Sequence, residues 1–166
     1  MNFARTTKFH YYKLLRLKGS PHSLALGAAI GVFIGLTPTI PLHTTAVLLI
    51  TFLTRSSIIA GITTSYIISN PFTFIPLYSV CLILGNIATP YHLDTRYLNK
   101  VTNLLESDRG FYEMMQAIAG LGYEAVVVFL VGGLILALPG GLLSYFGFYH
   151  VIVAFRRKRR EKQVLS

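Results

Sequence analysis

Three long apolar stretches, at about residues 24–53, 58–88 and 117–155, constrain this chain more than anything else in it. Each exceeds the roughly 20 residues that one straight helix needs to cross a bilayer. Each is also interrupted: the first by Pro38 and Pro41, the second by Asn70-Pro71, the third by Pro139-Gly140-Gly141. Proline removes a backbone donor and pushes the preceding residue out of helical geometry. Two geometries satisfy such a pattern, a kinked single span and a hairpin that turns at the proline and comes back. The pieces beside the first two breaks are short for full spans and suit half-helices.

Composition decides where these stretches lie. The chain is 53% hydrophobic and 13% charged, where a soluble domain carries roughly a quarter charged residues. A soluble chain of 166 residues also lacks the interior volume to hide so much apolar surface. The surplus must face lipid, so the sequence predicts an all-α integral membrane protein. No linker divides it, and residues 1–166 read as a single membrane domain.

The net charge of +9 is gathered at the ends. Arg5, Lys8, Lys13, Arg16 and Lys18 precede the first stretch, and Arg156, Arg157, Lys158, Arg159, Arg160 and Lys162 follow the last. Basic clusters beside membrane segments fix orientation and meet anionic lipid headgroups. Their juxtamembrane position favours that role over nucleic-acid binding, and no nucleic-acid partner is expected. Two basic ends place both termini in the cytoplasm and demand an even number of crossings. Three kinked spans would give an odd number, so the expected core is three proline-broken hairpins, transmembrane or re-entrant.

Polar segments frame that core. Residues 1–19 read as a basic interfacial helix, with Phe3, Tyr11, Leu14, Leu15 and Leu17 on one side. Ser20-Pro21 then restarts the chain as N-cap and N1, opening a broken-helix core at 20–90. Residues 91–116 read as a second interfacial segment, 117–155 as the third hairpin and 156–166 as a basic tail. A cleaved signal peptide is not expected, because no small-residue cleavage site follows the first apolar run. Cys81 is the sole cysteine, which excludes an intramolecular disulfide.

Few residues inside the apolar stretches could carry chemistry. Gly27, Gly31 and Gly35 form a small-residue stripe at a spacing of four, which lets another helix approach closely. Backbone freed at a break must be buried in protein or line a wet cavity. Around the first break lie Thr37, Pro38, Thr39, Pro41, His43, Thr44 and Thr45; around the second lie Ser65, Tyr66, Ser69, Asn70, Pro71 and Thr73. Asn70 can cap the helix that Pro71 begins. Half-helix N-termini converging there would offer N–H groups and positive dipole ends to an anion. On the alternative reading these side chains satisfy only their own broken backbone.

Arg55 reads as a headgroup-level turn residue or a second contact to a phosphate, and Glu124 as interfacial. His10, His22, His43, His92 and His150 show no paired metal spacing, and no nucleophile elbow, phosphate loop or dinucleotide fingerprint occurs. Neither a metal nor a cofactor is expected, and a non-enzymatic role is favoured.

Ser20-Pro21-His22, Ala25-Leu26-Gly27, Ile30 to Gly35, Pro38, Pro41 and Thr44 together resemble the opening of one family, and Arg55, Ser69-Asn70-Pro71-Phe72-Thr73, Pro76-Leu77-Tyr78 and Gly85 its second half. The chain resembles the DUF2062 family of small bacterial membrane proteins. The resemblance implies a bacterial inner membrane and, because some relatives are fused to glycosyltransferases acting on lipid carriers, a role in handling envelope glycolipid or polyprenyl phosphate. It departs from the family at Thr39-Ile40, where glycine is frequent. The expected function is transport or handling of a lipid or anionic carrier. The alternative is an interaction module, partnering a second copy of itself or an envelope glycosyltransferase.

Overall fold

Helix boundaries follow from the local chemistry of the breaks. The structure, a computed structural model, describes residues 19–38, 42–69, 71–94, 96, 97, 112, 116 and 119–164, with the backbone alone at 71, 72, 74, 159, 160 and 162–164. Five helices are described: α1 (Pro21–Leu36), α2 (His43–Leu53), α3 (Ile58–Ile68), α4 (Pro71–Ala88) and α5 (Tyr123–Val164). No strand occurs among the described residues. The interfacial helix expected at 1–19 lies outside them apart from Gly19, as does most of the segment 91–116.

Ser20 starts α1, its side chain accepting a hydrogen bond from Ser23 N at 3.1 Å, with Pro21 in the first turn. Thr37 ends α1 in extended geometry, as the residue before a proline must. Ser57 caps α3 by accepting from Ala60 N. The tight turn between α2 and α3 places Arg55 at a left-handed φ of 52°, a conformation uncommon outside glycine.

The glycine stripe is where α1 meets α3. A methyl group on Gly27 would meet the Ser57 carbonyl, one on Gly31 the Gly61 carbonyl, and one on Gly35 the Ile68 side chain. Positions rise together along both helices, so α1 and α3 are parallel. Thr64 Oγ1, 2.6 Å from the Ala60 carbonyl in its own helix, also lies within hydrogen-bond distance of the Ala28 carbonyl across this contact, at 3.1 Å. Between them α2 runs in the opposite sense, with Thr51 and Val47 against Gly61 and His43 beside Ser69. The first break therefore reverses the chain, as a hairpin does.

The other two breaks do not. Gly133 abuts Pro38, Gly141 abuts Phe33, and Leu24 shares a buried cluster with Ile152, so α5 is antiparallel to α1. Gly132 meets Cys81 and Gly85 meets Val128, so the second half of α4 is also antiparallel to α5. It thus continues in the sense of α3. With only Ser69 and Asn70 between the helices, the second break shifts the axis without folding the chain back. The hairpin expected at 117–155 is also absent, since α5 is one helix of 42 residues running through Pro139. A proline costs an interior helix one hydrogen bond, to the carbonyl four residues before it, and packed neighbours make such a loss tolerable. Gly140 and Gly141 serve contact rather than a turn, for they face Leu36 and Phe33 of α1.

These contacts give the bundle two unlike ends. At one, the start of α1, the Arg55 turn and the last turns of α5 come together, with Ser57 N donating to the Ser23 carbonyl at 3.0 Å and Phe155 packed on Leu24, Ala60 and Ile152. Toward the other end only α4 and α5 continue, closed by Asn86, whose side-chain amide exchanges two 3.0 Å hydrogen bonds with the Leu93 backbone. Among the described residues, α5 alone is long and apolar enough to cross a membrane, over Tyr123–Lys158. Only 33% of its most apolar window is buried inside the protein, so most of that surface calls for an apolar exterior. The protein is a membrane-associated helical bundle.

Candidate functional site

Where the bundle thins from four helices to two, the packing leaves a cavity of about 250 Å³. The end of α1 supplies Gly35 and Thr37, the start of α2 His43, Thr44 and Val47, and α3 Ile62, Ser65 and Tyr66. Ser69 of the second break and Leu77 and Tyr78 of α4 complete it. Ordinary small-molecule sites occupy roughly 300–1,000 Å³, so this one suits a small group rather than a whole lipid.

Three of the hydroxyls that line it donate to backbone. Thr37 Oγ1 donates to the Phe33 carbonyl at 2.8 Å, Ser65 Oγ to the Ile62 carbonyl at 3.1 Å and Ser69 Oγ to the Gly35 carbonyl at 3.4 Å. The last bond ties the second break to α1. Thr73 Oγ1 donates to the Ile68 carbonyl, spanning the same break from the α4 side. His43 Nε2 lies 3.5 Å from Ser69 Oγ. Leu42, at the N-cap of α2, offers no side-chain acceptor, and the first N–H groups of a helix have no partner within it. The cavity is thus met by one helix start, one imidazole and the hydroxyls of Thr44, Tyr66 and Tyr78, beside three hydroxyls that donate to backbone.

The residues expected to form a site therefore divide. Thr37, His43 and Ser69 meet at the cavity, with Gly35 in its wall. Thr73 stands at the second break, and Pro71 is the first residue of α4. Pro38 packs on Gly133 of α5 instead. Thr39, Pro41 and Asn70 lie outside the described residues. Arg55 is not in the site: it is exposed, in the turn at the far end of α2. Among the described residues no cluster of His, Cys, Asp and Glu could hold a metal ion.

Over residues 4–161 the chain matches the family described as an uncharacterized protein conserved in bacteria, DUF2062. The chain belongs to that family. No curated protein matches it, and neither does any solved structure.

Other features of this DUF2062 chain escaped sequence reasoning. Tyr78, buried between cavity and distal core, reads along the chain as one more apolar-run aromatic. Gly85 and Gly132 let α4 and α5 touch backbone to backbone, yet they stand far apart in sequence and share no stripe. Asn86 did carry a signal, an amide within an apolar run, which implies a buried partner.

Proposed function

We propose that this protein is a non-enzymatic, multi-pass protein of the bacterial inner membrane that handles a small anionic group, free or on a lipid. The observation that carries this reading is the cavity at which the first reversal and the second break meet, where Thr37, His43, Thr44, Ser65 and Ser69 interrupt a mostly apolar lining. In this arrangement α1 and α2 form a re-entrant hairpin, while α3 with α4 crosses once and α5 returns. Two crossings leave both basic ends on the cytoplasmic side, in accord with the orientation rule for positive charge. A bound anion would draw on the N–H groups that open α2, which point toward its positive dipole end.

Native mass spectrometry of the purified protein with its endogenous lipids tests the reading, with Thr44→Trp as the comparison. Thr44 is an exposed lining residue, so the larger ring can fill the cavity without displacing the core. The expected result is retention of phosphate-bearing lipid or ion by the parent and its loss in Thr44→Trp at an unchanged melting temperature. Equal retention by the two would move the ligand elsewhere. Stoichiometric recovery of a glycosyltransferase, with no bound anion, would instead favour the partner-subunit reading.

A further inference from the structure

An anion enclosed among apolar helices needs a counter-charge, because an isolated charge out of water is strongly disfavoured. Among the described residues, neither lysine nor arginine lines the cavity. Arg55 sits beyond the far end of α2, an 11-residue helix about 16 Å long at 1.5 Å per residue. The hydroxyl protons of Thr37, Ser65 and Ser69 are already given to carbonyl oxygens, so these groups turn lone pairs toward any guest. Lone pairs repel an anion and attract a donor.

His43 differs from every hydroxyl in the lining, Thr44 and the two tyrosines included, in that it can carry a positive charge. It begins α2, lines the cavity, and places Nε2 3.5 Å from Ser69 Oγ. The Ser69 hydroxyl lies 3.4 Å from the Gly35 carbonyl and 3.5 Å from Nε2, so either tautomer of the neutral ring fits that pair, and each has a single N–H. A neutral imidazole then has no second N–H to offer, whereas an imidazolium has one and a full positive charge. The other titratable groups lining the cavity are Tyr66 from α3 and Tyr78 from α4; α1 contributes none, and no residue of α5 lines it. A phenol is never cationic, so neither tyrosine supplies a counter-charge to an anion.

We propose that the cavity takes up a phosphoryl monoanion together with one proton, the proton being held on His43. The proposal rests on the anion-handling reading and adds its counter-charge and its co-substrate. Anion and proton enter as a pair, so the filled site bears the same net charge as the empty one. Linkage is reciprocal: the anion favours protonation of the ring, and protonation favours the anion to the same degree. Binding therefore tightens as pH falls. A protein that carried this anion would carry it electroneutrally, at the expense of a proton gradient.

The probes are dimethyl phosphate and phosphatidylglycerol, phosphodiesters that do not titrate near neutral pH. The first represents a free ion and the second a headgroup. Dimethyl phosphate is titrated calorimetrically into the protein in phosphatidylcholine nanodiscs, in two buffers of different ionisation enthalpy. Phosphatidylglycerol retention is read by native mass spectrometry at pH about 5.5 and about 8, either side of the ordinary histidine value near 6.5. For whichever probe binds, affinity should fall by up to about tenfold per pH unit on the alkaline side, the limit for one coupled proton. Calorimetry should show uptake of up to one proton per dimethyl phosphate bound. His43→Gln should remove both the proton uptake and the pH dependence while keeping a neutral donor. If it does not fold, the wild-type pH dependence still decides the coupling, and imidazole ¹⁵N shifts on adding the probe decide the residue. Binding that is independent of pH, or unchanged in its pH dependence in His43→Gln, would overturn the proton coupling but leave the anion site standing. No binding of either probe at any pH would remove the anion site and the coupling with it.

Discussion

At the scale of single residues, the absence of a side chain matters as much as its presence. A methyl group at Gly31 would press on the Gly61 carbonyl and the Thr64 hydroxyl, inside any normal contact distance. Backbone cannot swing aside as a side chain can, so Gly31→Ala must part α1 from α3. The expected cost is about 1–3 kcal/mol, the usual range for overpacking, lowered by up to about 1 kcal/mol of improved helix propensity. Gly147 in α5 has nothing within 4 Å of such a methyl, so Gly147→Ala should be neutral or stabilising. Thermal unfolding in detergent separates the two, and equal melting temperatures would mean that α1 and α3 are not in contact at Gly31. A spacing of four made Gly27, Gly31 and Gly35 visible in the sequence, because helix geometry turns that spacing into one face. The matching glycines across α4 and α5 had no such period, and their pairing depends on tertiary contact alone.

At the scale of elements, proline proved readable as a position and unreadable as an outcome. Each of the three proline breaks lies in an apolar stretch, yet one reverses the chain, one offsets it and one is absorbed. The difference lies in what surrounds each proline. Pro38 and Pro41 sit in a six-residue connection between Leu36 and His43, long enough for a turn between antiparallel helices. Pro139 lies inside α5, where the adjoining glycines admit α1 against the helix. Sequence alone shows the glycine pair but not that a helix occupies it. The continuity of α5 has a direct test in spin labels at Leu130→Cys and Tyr149→Cys on a Cys81→Ser background, both sites being exposed. An unbroken helix separates their backbones by about 28 Å at 1.5 Å per residue. A hairpin turning at Pro139 would bring them to about 10 Å, the spacing of packed helices, and a distance near that value would restore the folded-back third stretch.

At the scale of the whole molecule, charge and fold can be compared independently. Arg55, Arg156, Arg157 and Lys158 belong to the end where α1 begins and α5 finishes. Asp94, ion-paired with Arg96 at 3.4 Å, and Glu124 belong to the opposite end, where Tyr91 meets Tyr123 ring to ring. The contacts that produce this separation, glycine against carbonyl and leucine against isoleucine, contain no charge, so the fold did not have to sort the charges in this way. A membrane would require it, since cytoplasmic ends collect lysine and arginine. Three cysteine variants on the Cys81→Ser background test the resulting topology in spheroplasts with an impermeant maleimide. Asp94→Cys should react at once, while Lys158→Cys and Arg55→Cys should react only after permeabilisation. The Arg55 result carries the most weight, because α1 and α2 lie between it and the chain start. If Arg55→Cys labels together with Asp94→Cys, the α1–α2 hairpin does not return to the side it left. The cavity would then lie beside a full crossing and not at the tip of a re-entrant loop. Labelling with Lys158→Cys instead leaves the cavity deep in the apolar layer, where a bound anion would need a counter-charge within the protein.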